Sequence, residues 1–142
     1  MGTMGEIVTR VHLENAVDRE RFEQHELAES QIAHHTMSAI VDTGAVMLML
    51  PQDVVEKLKL RSLRKVVVSY ADERREERAV AGPVMIKIDD RSMYTECIVG
   101  PPLSEALIGQ VVLETMDLVA DCQSHTLAPR PESPIYPSLK MK

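Results

Sequence analysis

Tryptophan is absent from this 142-residue chain, and other aromatics are scarce, with three tyrosines and one phenylalanine making up 3% of the residues. A core must therefore be assembled from Val, Leu, Ile, Met and Ala. The same scarcity argues against a surface that stacks the bases of single-stranded nucleic acid. Excess positive charge is missing too: 16 Lys and Arg against 22 Asp and Glu leave a net charge of −6. That balance disfavours a phosphate-backbone partner and favours solubility, so no nucleic acid is expected. No apolar stretch is long enough to span a bilayer, and no membrane partner is expected either. The two cysteines, Cys97 and Cys122, form no CxxC pair and read as reduced, buried small hydrophobes. The opening residues Met1 to Glu6 lack the basic-then-apolar pattern of a signal peptide. The expected location is cytoplasmic.

What is present fits one domain with one modest core. Hydrophobic residues make up 44% and charged residues 27%, an ordinary balance for a globular domain. Alternation of Ile7, Thr9, Val11 and Leu13 predicts a strand over 6–13. Residues 18–35 are charged and bear histidines, and read as a short helix or an irregular connection. Met37 to Val41 reads as a strand running into Asp42, and Val46 to Leu50 as a strand buried on both faces. Pro51 supplies a helix start, with Asp53 in the first turn and an apolar face through about Leu60. Further strands are expected at Val66 to Tyr70, around Val84, Ile86 and Ile88, and over Met93, Thr95, Cys97 and Val99, with a tight turn at Asp89 to Ser92. After Ala106 to Gly109, a helix is expected from Gln110 to Met116, then strands at 117–122 and 126–128. About eight strands with one or two short helices predict an all-β, barrel-like domain over 6–128. The Pro-rich tail, 129–142, is expected to be extended and either disordered or part of a dimer interface.

The order of motifs is more specific than any one of them. An apolar strand delivers Ile40-Val41-Asp42-Thr43-Gly44-Ala45, Leu50-Pro51 follows, and Leu107-Ile108-Gly109-Gln110 comes late in the chain. This pattern resembles the retropepsin-like family of aspartic peptidases, and looks closest to its small members encoded in bacterial genomes. The resemblance implies an acid-protease barrel that works as an obligate two-fold dimer. It implies Asp42 as the catalytic carboxylate, supported by Thr43, Gly44 and Ala45, with Thr43 hydrogen-bonding across the dimer axis. It implies that Ile108 and Gly109 pack behind the loop. It also implies a flap between Tyr70 and Val80, with Tyr70, Ala71 and Asp72 touching substrate. Viral flaps carry several glycines at the tip, whereas this one reads Asp72-Glu73-Arg74-Arg75-Glu76-Glu77.

The chemistry explains the need for a partner. Hydrolysis by water, without a covalent intermediate, needs one carboxylate to accept a proton and a neighbouring carboxylic acid to donate one. Two carboxyls held close cannot both ionise and share one proton. The chain has a single Asp-Thr-Gly, so Asp42 must meet Asp42 of a second copy. Gly44 is expected to permit a tight turn and leave room for substrate. Ala45 stands where pepsin-like relatives carry Ser, which removes one donor from the loop, and a working pH from weakly acidic to neutral is expected. The function expected is that of an aspartic endopeptidase acting on a peptide or protein, with no cofactor and no metal. The alternative is a non-catalytic dimer of the same fold that binds a peptide or serves as a scaffold. His34 and His35, with His25 nearby, read as a solvated polar loop because no metal-ligand spacing accompanies them. Met47, Met49 and Met116 read as core filler.

Overall fold

A computed structural model describes residues 6–141. Its strands are β1 (Ile7–Asn15), β2 (His34–Val41), β3 (Leu48–Pro51), β4 (Arg61–Ser69), β5 (Arg75–Ile88), β6 (Arg91–Gly100), β7 (Ala106–Ile108), β8 (Leu118–Asp121) and β9 (Thr126–Pro129). Three short helices interrupt them: α1 (Ala16–Glu23), α2 (Gln52–Lys57) and α3 (Gln110–Met116), with a 3-10 turn at Glu29–Gln31. Seven strands form one sheet in the order β1-β2-β7-β3-β6-β5-β4, and β1 also pairs with β5. That extra pairing closes β1, β2, β7, β3, β6 and β5 into a barrel and leaves β4 projecting as one arm of a hairpin with β5. Closure removes the free edges that an open sheet would expose.

Inward-pointing residues of alternate strand positions fill the barrel. Val11 and Leu13 of β1, Leu48 and Leu50 of β3, Ile86 and Ile88 of β5, and Cys97 of β6 are almost wholly buried. Val112, Leu113 and Met116 plug one end from α3, and Val54, Val55 and Leu58 close another side from α2. Asn15 joins two elements. Its side-chain oxygen accepts the Asp18 N–H at 3.1 Å and so caps α1, while its amide donates to the carbonyls of Leu58 at 3.0 Å and Lys59 at 3.2 Å beyond α2.

Several expectations are corrected. Residues 46 and 47 lie in a bend, and β3 begins only at Leu48. Met47 and Met49 are only partly buried, so of the three methionines read as filler Met116 alone is in the core. His34 and His35 are not in a loop. They begin β2 because Glu14 and Leu13 of β1 pair with them. Burial lowers the pKa of His35, and the nearby Lys57 adds to the effect. Cys97 is buried, and burial pushes its thiol up to about 12. Cys122, expected to be buried, is exposed in the turn between β8 and β9.

The tail is irregular after β9, yet it is tethered. Asp117, in the left-handed conformation at the end of α3, accepts hydrogen bonds from the Ser133 hydroxyl and from the Ser138 N–H at 2.9 Å, and pairs with Arg130 at 2.8 Å. The buried Arg91 donates to the carbonyls of Met116 at 2.7 Å and Asp117 at 3.0 Å, and also to that of Ser133. Lys142 lies outside the described residues.

The Asp117 tether carries a pH signature. The Ser133 hydroxyl first, then the Ser138 N–H and Arg130, hold the Asp117 carboxyl at about 2, against an ordinary value of 3.8. A depressed carboxyl stabilises the fold fully above its unfolded value, and that contribution is lost as pH falls through the folded value. Chemical denaturation should therefore show stability falling between pH 4 and pH 2, with a shallower fall in Asp117→Asn. Equal slopes in the two proteins would show that the tether contributes nothing.

Candidate active site

Asp42 is the first residue after β2, at the point where the chain leaves the barrel wall. β7 runs parallel to β2, with Val41 opposite Ile108, and the Asp42 N–H donates to the Ile108 carbonyl at 2.9 Å. The chain then turns. The Ala45 N–H donates to the Asp42 carbonyl at 3.1 Å, and the Gly44 N–H donates to Asp42 Oδ1 at 3.0 Å. The carboxylate is thus oriented by its own loop.

α3 holds that loop from behind. The first N–H groups of a helix have no partner within it. Here the Gln110 N–H donates to the Ala45 carbonyl at 2.8 Å and the Val111 N–H to the Val46 carbonyl at 2.9 Å. The Gln110 side chain adds a third bond, donating to the Thr43 carbonyl at 2.9 Å. Three loop carbonyls are therefore engaged on the helix side.

This contact needs Gly109. A Cβ there would lie 2.7 Å from the Met47 carbonyl oxygen, 2.8 Å from that of Ala45 and 2.8 Å from the Val46 carbonyl carbon, all backbone atoms. The requirement comes from close approach, because Gly109 has an ordinary negative φ of −99°. Gly44 differs from expectation. Among the described glycines only Gly82 has a positive φ, and a Cβ on Gly44 would sit at an ordinary 3.4 Å from Asp42 Oδ1. The turn alone does not demand glycine there. What the missing side chain preserves is open space on the exposed side of the carboxylate.

Asp42 lies at a cavity of about 480 Å³. Its walls are Gly44, Ala45, Met47 and Met49 on the loop side, Ile98 and Leu107 from the barrel, and the run Val66 to Ala71 from the projecting hairpin. The structure therefore brings Asp42, Gly44, Ala45, Tyr70 and Ala71 to one cavity. Thr43 faces elsewhere. It borders a larger space of about 690 Å³ shared with Gln110, α3, β8 and the tail. Of these two spaces, Asp42 borders only the smaller. Asp72 lies outside it and turns to Arg74, accepting the Arg74 N–H at 3.1 Å. Ile108 is fully buried and contributes through its carbonyl.

Sequence reasoning missed the apolar lining supplied by Met47, Met49, Ile98 and Leu107. These side chains have the same hydrophobic signature as core residues, and only the geometry separates the two. It also missed Gln110, whose role depends on a contact with Thr43 across 67 positions of sequence. Among the described residues, no group of three or more His, Cys, Asp and Glu could hold a metal ion.

Gly109→Ala provides a test of the loop support. The added methyl has only backbone to displace, so a loss of about 1–3 kcal/mol in unfolding free energy is expected. The Gly44 and Ala45 amide resonances should shift with it. Unchanged stability with unmoved loop resonances would mean that the loop is held some other way.

Residues 28–115, more than half of the chain, match the family model described as "gag-polyprotein putative aspartyl protease". A search among curated proteins gives no match. Among solved structures, EIAV protease complexed with the inhibitor HBY-793 aligns with a TM-score of 0.44 and 23% identity, over 55% of this chain and 74% of that one. The matched segment runs from before β2 into the last turn of α3 and so contains Asp42, its loop, the β4–β5 hairpin and Gly109. This chain belongs to the gag-polyprotein aspartyl protease family.

Proposed function

We propose that two copies of the chain assemble about a two-fold axis, that their Asp42 carboxyls meet, and that the pair hydrolyses peptide bonds with a water molecule as nucleophile. The observation that carries this reading is the Asp42 carboxylate itself. It is oriented by the Gly44 N–H at 3.0 Å and set at an apolar cavity large enough for a side chain of a peptide. One carboxylate alone cannot supply both the base that activates water and the acid that protonates the carbonyl oxygen. Two carboxyls in contact share one proton and fill both roles. In the first step the ionised carboxyl takes a proton from water as oxygen attacks the carbonyl carbon, and the protonated one hydrogen-bonds the developing oxyanion. In the second the proton passes to the leaving nitrogen as the carbon–nitrogen bond breaks.

Exposure of Thr43 on the side away from the cavity supports a partner there. Substrate would enter as an extended strand. β4 pairs only with β5 among the described strands, so its other edge offers unpaired N–H and C=O groups, and consecutive residues from Val66 to Ala71 border the cavity. Such an edge recognises a peptide backbone by strand addition, and the hairpin above it would exclude water as a lid. The tail, tethered at Asp117 and exposing Ile135, Tyr136 and Leu139, is a candidate part of the dimer contact. The glycine-free flap tip favours a second reading, in which the dimer binds peptides without turning them over.

Cleavage of a peptide library by the wild type and by Asp42→Asn separates the two readings. Loss of an acid/base group should lower the rate by about 10²- to 10⁴-fold. If the two proteins behave identically, the protease reading fails, and retained peptide binding would then select the second. The rate profile of the wild type should peak from weakly acidic to neutral pH. A peak below about pH 3, the range of a pepsin-like dyad, would contradict the role given to Ala45.

A further inference from the structure

The hairpin of β4 and β5 has two faces. Val66, Val68 and Tyr70 alternate on the half-buried face that lines the Asp42 cavity. Directly opposed residues of an antiparallel pair share a face, and here Val66 opposes Arg78 and Val68 opposes Glu76. Tyr70 is opposite Arg74, its N–H donating to the Arg74 carbonyl at 2.8 Å. A charged row, Arg74, Glu76 and Arg78, therefore runs down the cleft side of the flap beside an apolar one.

The charged row is internally connected. Arg78 Nη2 donates to Glu76 Oε2 at 2.6 Å, and Arg74 Nη1 lies 3.2 Å from Glu76 Oε1. The Arg74 guanidinium sits 4.6 Å from the centre of the Tyr70 ring. The four side chains form a continuous line of contacts from Arg78 through Glu76 and Arg74 to Tyr70. Side-chain exposure is 22% for Arg78 and 30% for Glu76, so solvent and salt screen this pair less than they screen most surface pairs.

We propose that this line of contacts is a clamp in which Arg78, through Glu76 and Arg74, fixes the Tyr70 side chain as part of the roof of the Asp42 cavity, making Arg78 a positioning residue for substrate binding. The proposal rests on the reading of that cavity as the substrate site. Free rotation of Tyr70 would have to be lost on each binding event, whereas the clamp removes that freedom in advance. Arg74 itself is exposed, and its cation–π contact is backed by the more shielded charge-assisted pair of Arg78 and Glu76. The tip itself is set by local means. Glu73 adopts a positive φ of 68°, and its N–H donates to the Tyr70 carbonyl at 3.0 Å. A flap tip without glycine can thus be ordered by charge.

The test combines Arg78→Met, Tyr70→Leu, their double variant and the conservative Arg78→Lys. With a fluorogenic peptide cleaved by the wild type, Arg78→Met and Tyr70→Leu should each raise KM by about three- to tenfold. In both, kcat should stay within about twofold of the wild type, the signature of lost ground-state binding. The double variant should be no worse than the poorer single one, and Arg78→Lys should recover part of the loss. Additive KM effects, or an unchanged KM in Arg78→Met, overturn the proposal. A second readout does not need turnover. In protein labelled with fluorotyrosine, the Tyr70 fluorine resonance should move in Arg78→Met, and an unmoved resonance overturns the clamp. If the wild type cleaves nothing, the protease reading fails, while this resonance still decides whether the clamp exists.

Discussion

The approach of the Gly109 backbone to the loop that follows Asp42 is the constraint on which the site depends. It lets the start of α3 come close enough for the Gln110 and Val111 N–H groups to reach the Ala45 and Val46 carbonyls. A helix start has donors to spare and a loop has carbonyls to spare, so each satisfies the other's backbone groups. The carboxylate is then left with the Gly44 N–H and open space. α3 in turn is fixed by Val112, Leu113 and Met116 in the barrel core. Core packing thereby sets the position of Asp42 through only two intermediates, the helix and the glycine.

The barrel supplies the rest of the setting. β7 lies between β2 and β3, the two strands joined by the Asp42 loop, pairing parallel with the first and antiparallel with the second. That arrangement ties the two ends of the loop to one strand, and the loop cannot drift without breaking the wall. The β4–β5 hairpin is built differently. It has β4 as an edge and a tip closed by local turns and ion pairs, with no core of its own. Elements with few buried apolar contacts open at low cost, as the proposed role of a lid requires.

Much of this was legible in the sequence, for identifiable reasons. Period-two alternation marked β1 and β6, and the apolar strand ending in Asp42-Thr43-Gly44 marked the loop that borders the cavity. Where the reading failed, a tertiary contact overrode a local signal. His34 and His35 look like loop residues, but β1 recruits them into β2. Val46 and Met47 look like strand residues, yet the approach of Gly109 holds them in a bend. Arg75 to Glu77 read as part of the flap tip, Asp72 to Glu77, although they pair across the hairpin with Ser69 to Val67 as the start of β5. Met47 and Met49 could not be told from core residues, because apolar cavity walls and an apolar core use the same residue types.

A single chain holds one Asp42, and the chemistry proposed for it needs two. The direct measurement is the distance between Asp42 carboxyl oxygens across the two-fold axis of a crystallised dimer. Oxygens within hydrogen-bonding distance, about 3 Å apart, are the expected result. A dimer that keeps the two carboxyls on separate faces, or a crystal of isolated monomers, would contradict a shared site.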